Sequence, residues 1–138
     1  MNRNDLQRLA DARVGDAEVL LNADRWAAAY YLAGYAVECA LKACAANRFR
    51  EHEVPERKLV DDFYTHRLDI LLGISGVKDA FDDRLRADPP FRDNWDIVRD
   101  WNQAARYHHS TTERRARQMF LAVTEPSCGV LTWLKTRY

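Results

Sequence analysis

The chain has 138 residues, 47% of them hydrophobic, and its 21 Lys plus Arg balance 21 Asp plus Glu, for a formal net charge of +0 at pH 7. A chain of this length makes about one domain and can bury roughly two thirds of its unfolded surface, so folding requires neither disulfide nor metal. Balanced charge excludes a diffuse attraction to nucleic acid or anionic membrane; contact with a polyanion has to come from a local cluster.

Few glycines (5) and prolines (4), with no internal repeat, favour helices over a turn-rich β fold. Apolar residues Leu6, Leu9, Ala10, Val14, Ala17, Leu20 and Leu21 recur at three- and four-residue steps, which predicts a helix over Asn4–Asn22. Asp24 is the expected N-cap of a second helix over Arg25–Phe49, with Trp26, Tyr30, Ala33, Val37, Leu41 and Cys44 as its core stripe. Gly34 lies mid-helix, where it costs about 1 kcal/mol relative to Ala, and implies that another backbone passes close by. The charged stretch Arg50–Asp62, with Pro55, reads as a loop.

Thr65 is the expected cap of a short third helix ending at Leu72 with Gly73 as its C-terminal stop. A fourth spans Val77–Arg86 and stops before Pro89-Pro90, and a fifth spans Asn94–Tyr107. On that fifth helix Ile97, Val98, Trp101, Ala104 and Ala105 share one face, opposite Arg99, Gln103 and Arg106. The last helix starts near Thr111 or Thr112, with Thr111 the expected cap, and keeps its apolar phase through Val130, Leu131 and Leu134, which predicts a kink at Pro126 rather than a break. The expectation is all-α: one domain over residues 1–138, an antiparallel up-and-down bundle of four main helices plus one or two short ones.

Cys39, Cys44 and Cys128 contain no CxxC pair, and Cys39 and Cys44 point roughly 140° apart on a helix, so free thiols in a reducing compartment are expected. Residues Met1–Ala10 are polar, without a signal-peptide core, and no apolar run approaches the ~20 residues that span a bilayer. A cytoplasmic protein without membrane contact follows as an expectation.

Residues Tyr30–Ala43 read YYLAGYAVECALKA. This string resembles the second-helix signature of HEPN domains (higher eukaryote and prokaryote nucleotide-binding). The segments THRLDILL (Thr65–Leu72), NWDIVRDWNQAARY (Asn94–Tyr107) and VLTWLK (Val130–Lys135) resemble one branch of that family, in the family's order. The resemblance implies a helical bundle that commonly forms a homodimer. It also implies either an RNase of toxin–antitoxin or defence type, often paired with a small nucleotidyltransferase, or a catalytically inactive interaction module.

The family's catalytic pattern is an Arg, a polar residue, then a His four to six residues on, and in some members a Tyr two residues beyond. Arg99 followed by Asp100 matches its start, but Ala104, Ala105 and Arg106 occupy the His positions. His108 stands where the modifiable Tyr would be. Metal-independent RNA cleavage needs a group that takes a proton from the 2′-hydroxyl near neutral pH, which suits imidazole, whereas guanidinium stays protonated and only stabilises phosphate charge.

Arg99, Asp100, Arg106, His108 and His109 are therefore the candidate catalytic residues, with Glu38, Gln103 and Tyr107 in support, and no metal or cofactor is implied. Arg99 and Arg106, two helical turns apart with Gln103 between, form either a phosphate-binding stripe or a solvated face with Arg99 paired to Asp96 or Asp100. His108 and His109 are either a displaced catalytic imidazole or a loop pair. Glu38, four residues before Lys42, is either in a salt bridge with it or turned across the bundle to orient Arg99 or Arg106. The run Arg114, Arg115 and Arg117, diluted by Glu113, reads as a solvated turn, and the tryptophans and tyrosines as core and dimer interface.

Overall fold

The segment from Trp26 to Ala45 is apolar around most of its circumference, and a helix of that kind is stable only when other helices surround it. The computed structural model describes residues 1–138 and is helical throughout. Its elements are α1 (Arg3–Asn22), α2 (Trp26–Ala45), α3 (Arg57–Phe63), α4 (Leu68–Ile74), α5 (Lys78–Ala87), α6 (Pro89–Val98), α7 (Glu113–Thr124) and α8 (Val130–Lys135). Two 3-10 turns, Ala46–Arg48 and Gln103–Tyr107, complete the set. Helix α2 is central: α1 lies along it, and α4, α7, α8 and the Gln103–Tyr107 turn pack on its remaining sides. No helix is long and apolar enough to cross a membrane.

Helix α1 opens with a capping box: Asn2 accepts from the Asp5 N–H, and the Asp5 carboxylate accepts from the Asn2 N–H. It ends differently from the expectation at Asp24. That residue does not cap α2; it adopts φ 59° and closes α1, with the Asp24 N–H donating to Leu21 O (3.1 Å) and the Arg25 N–H to Leu20 O (2.8 Å). This is a Schellman closure with Asp in the left-handed position that Gly usually takes. Arg25 becomes the N-cap of α2 and offers it no side-chain hydrogen bond.

Four further boundaries depart from the sequence reading. Residues within Arg50–Asp62 are not all loop, because α3 forms at Arg57 and Phe63 packs edge-on against Phe49 (5.2 Å between centroids). Its seven residues are too few to display a period. Helix α4 runs two residues past Leu72, and the left-handed residue that stops the chain is Gly76 (φ 80°), not Gly73. The helix before Pro89-Pro90 stops there as expected, at Ala87, but the next begins at Pro89 rather than Asn94. The two prolines occupy the first turn of α6, where no N–H is required, and Asp88 caps it by accepting from the Phe91 N–H (3.1 Å). Finally, Thr112 rather than Thr111 caps α7, its hydroxyl accepting from the Arg115 N–H (3.2 Å).

The chain breaks at Pro126 instead of kinking. The Glu125 carboxylate accepts from the Ser127 and Cys128 N–H groups, and the Gly129 N–H donates to Glu125 O (2.9 Å), making a closed turn between α7 and α8. A Cβ at Gly129 would lie 2.5 Å from Glu125 O, so only glycine fits. The apolar phase survives because α8 returns to the core, with Val130 and Leu134 fully buried.

Hydrogen bonds from Cys128 and Ser127 hold the Glu125 carboxyl down at about 2, against an ordinary 4.5. A carboxylate whose folded-state pKa is lowered stabilises the fold above the unfolded value and loses that contribution as pH falls. Glu125→Gln is therefore expected to lower the Tm at pH 7, with the gap to the parent closing between pH 4.5 and about 2. A gap that stays constant across thermal melts from pH 7 to pH 2 contradicts the turn's electrostatic origin.

Candidate functional site

The connection from α6 to α7 carries most of the sequence-predicted site residues, and one side chain decides its path. Helix α6 ends at Val98, with the Trp101 N–H closing onto Val98 O (3.0 Å). Trp101 then turns inward to 3% exposure, stacks on Tyr31 (5.7 Å, 27° between planes) and donates its indole N–H to Tyr31 O (3.1 Å). The ring fills a notch over Gly34, where a Cβ would stand 2.2 Å from Trp101 Cδ1. The close approach expected at Gly34 is thus made by an aromatic side chain rather than by a backbone. Asn102 next accepts from the Ala104 N–H (2.9 Å) and starts the 3-10 turn, whose Ala105 is buried against α2.

This path overturns the expected helix over Asn94–Tyr107 and, with it, the Arg99–Gln103–Arg106 stripe. The three residues do not share a helical face, and the two arginines line different cavities. Arg99 and Asp100 border a cavity of about 560 Å³ with Asn102, Arg67, Lys78 and Asp82 on its rim and Trp95 and Trp101 in its wall. Its cations are largely matched: Arg67 pairs with Asp69 (2.8 Å), Lys78 with Asp82 (2.5 Å), and Arg99 lies 3.8 Å from Asp96. Gln103 is half-buried in the 3-10 turn and lines neither cavity.

Arg106, His108 and His109 come together in a second cleft, of about 450 Å³, with Asp24, Arg25, Trp26, Ala27, Ala28, Tyr31 and Thr111. Past Tyr107 the chain is extended (His108 φ −75°, ψ 131°), which leaves both imidazoles at the surface. Tyr107 is also exposed and carries the Arg106 guanidinium over its ring (4.7 Å). Ala27 and Ala28 belong to the first turn of α2, whose N–H groups have no side-chain cap. The positive end of a 20-residue helix therefore faces into the cleft. Neither Arg25 nor Arg106 forms a salt bridge, so two free guanidiniums stand against the one carboxylate of Asp24. Nothing local in the sequence marks Arg25, because the start of α2 meets the α6–α7 connection only in the folded chain.

Glu38 is 1% exposed and does not reach Arg99 or Arg106 through a hydrogen bond. Its Oε1 takes Lys42 Nζ at 2.9 Å and His66 Nδ1 at 2.9 Å, while Oε2 has no partner. The ion pair with Lys42 thus forms, but in the interior, where a carboxylate has to be matched by donors. Its effect is to tie the middle of α2 to the segment that leads into α4. Around it, Tyr31 titrates above its ordinary value because of burial and the Glu38 charge, with Arg106 pulling the other way. Burial and neighbouring negative groups push Tyr35 up to about 12, and burial pushes Cys39 and Cys44 up to about 11, which keeps both thiols protonated and unreactive. No three His, Cys, Asp or Glu side chains converge in a metal-ligating set.

Comparison with protein-family models, with curated proteins and with solved structures gives no match.

Gly34→Ala gains about 1 kcal/mol of helix propensity. Set against it is overpacking of a buried indole, typically a loss of about 1–3 kcal/mol, and a Cβ at 2.2 Å from the ring lies at the severe end. The expected outcome is a lower Tm and a red shift of tryptophan emission as Trp101 leaves its notch. A variant as stable as the parent with unchanged emission contradicts the lock.

Proposed function

We propose that this chain is a HEPN-like protein, of toxin–antitoxin or defence type, that engages RNA or a nucleotide through the cleft formed by Arg25, Arg106, His108 and His109. The reading takes the helices as an up-and-down arrangement of the HEPN kind and a cytoplasmic setting. The observation that carries it is the meeting of two unpaired guanidiniums, two imidazoles and the uncapped end of α2 around one cleft. Phosphate is the group that such a set suits: guanidinium binds it in bidentate fashion, and free helix N–H groups receive it. The string Tyr30–Ala43 supports the same family by resemblance.

The cleft also holds the ingredients of metal-independent cleavage, although His108 is two residues beyond the longest spacing of the family's pattern. An imidazole there can take the 2′-hydroxyl proton, and Arg106 can stabilise the charge that develops on the phosphate. Arg106→Ala is expected to weaken binding of a labelled RNA by about tenfold, the scale of one charge-assisted hydrogen bond. Any cleavage should disappear in the His108→Ala, His109→Ala double variant. RNA affinity unchanged by Arg106→Ala, measured by fluorescence anisotropy, overturns this reading.

A second reading is a catalytically inactive, dimerising module that docks a partner such as a nucleotidyltransferase. It is favoured by large apolar side chains at the surface, Val19 on α1 (67% exposed) and Leu121 on α7 (60%), on helices that pack together. Sedimentation should then report a homodimer that Val19→Asp with Leu121→Asp converts to monomer. A monomeric parent protein eliminates the homodimer.

A further inference from the structure

Beside the Arg106 cleft lies another, of about 340 Å³, bordered by Tyr30, Thr112, Arg114, Arg115 and Gln118, with Asp100 and Ile97 on its far side. The two clefts are linked through α7: Arg117, on the helix that carries Arg114 and Arg115, lies over the ring of Trp26 (5.2 Å), which lines the Arg106 cleft. The sequence alone makes Arg114, Arg115 and Arg117 a solvated turn. The fold instead sets Arg115 over Tyr30 and Arg117 over Trp26, two aromatic residues of the first part of α2.

We propose that this neighbouring cleft is a second phosphate subsite, and that the two clefts together hold successive phosphates of one single-stranded RNA. The inference rests on the RNA reading of the Arg106 cleft and adds to it. Three observations support it. Arg114 and Arg115 form no salt bridge, because Glu113 reaches along the helix to Arg117 (3.8 Å) and leaves them uncompensated. Arg115 is held in place by Tyr30, with its guanidinium over the ring (4.8 Å) and donating to the hydroxyl (3.3 Å). Tyr30 is itself buried, so the arginine is positioned by the core rather than waving in solvent. Both arginines stand in the first turn of the 12-residue α7, where the helix dipole adds positive potential. Asp100 opposes them as a single carboxylate.

Aromatic groups on the same surface fit a strand with unpaired bases. Trp26 is half-buried in the first cleft, and Tyr107 is exposed next to it. Aromatic rings beside guanidiniums are the recurring platform for single strands, since every base presents a face to stack. A duplex keeps its bases stacked on one another and cannot use them.

The test compares a labelled single-stranded RNA of ten nucleotides with a nucleoside monophosphate, on the parent protein, Arg106→Ala, Arg114→Ala and Arg114→Lys. Arg114→Ala removes no hydrogen bond or salt bridge of the fold, so its effect reads binding. Expected for Arg114→Ala are an affinity for the oligonucleotide about tenfold lower and a salt slope of log affinity shallower by about 0.7, the value of one phosphate contact on a single strand. Monophosphate affinity should stay unchanged, because one phosphate needs only the first cleft, and Arg114→Lys should restore most of the oligonucleotide binding. If Arg106→Ala weakens both ligands while Arg114→Ala weakens neither, the second subsite is wrong and the RNA reading stands. If neither variant changes either ligand, both are wrong. Tighter binding of an RNA duplex than of the single strand also overturns the inference.

Discussion

The contact between Trp101 and Gly34 is the constraint on which the site depends. A tryptophan directly after a helix end can either extend the helix or turn back into the core. Here the bare Cα of Gly34 opens a notch deep enough for the indole, and the Tyr31 carbonyl satisfies its N–H, so burial costs no unpaired donor. Once the ring is seated, α6 has to stop at Val98 and the chain has to cross the start of α2. Arg106, His108 and His109 are carried there as a consequence. A helix continued through Tyr107 would have put Arg99 and Arg106 on one face and taken the histidines away from α2.

Electrostatics completes the site by leaving its arginines without salt-bridge partners. The chain is neutral overall, and much of its surface charge is spent in i, i+4 pairs such as Lys58–Asp62, Lys78–Asp82 and Arg84–Asp88, each worth about 0–1 kcal/mol and carrying little net field. Arg25 and Arg106 in one cleft, and Arg114 and Arg115 in another, are among the arginines that stand outside that pattern. A local field of this kind attracts phosphate although the net charge of the molecule does not. Glu38 serves a different need. It is the interior anchor that Lys42 pairs with and His66 hydrogen-bonds, and it fixes α2 against the α3–α4 connection rather than acting on either arginine.

The sequence revealed the helices that bury one face over many residues, and missed what local chemistry decides. The periods of α1 and α2 run for 20 residues each and are legible from spacing alone. The seven-residue α3 shows no period, and the Pro89-Pro90 pair, legible as the stop of α5, is also the start of α6 because Asp88 caps it. At Pro126 the apolar phase is continuous, yet Glu125 and Gly129 close a turn that returns the chain in register. The site was legible in part. His108 and His109 were found from their residue type and position beyond the expected helix. Their meeting with Arg25 depends on contacts across more than eighty positions, which no local pattern encodes.

Backbone and indole NMR shifts recorded while a short single-stranded RNA is added test the central claim most directly. The account predicts changes centred on Ala27, Ala28, Arg106, His108 and His109, with Arg67, Lys78 and Asp82 around the larger cavity undisturbed. Shifts concentrated at Arg99 and that larger cavity, or no shifts at all, would contradict it.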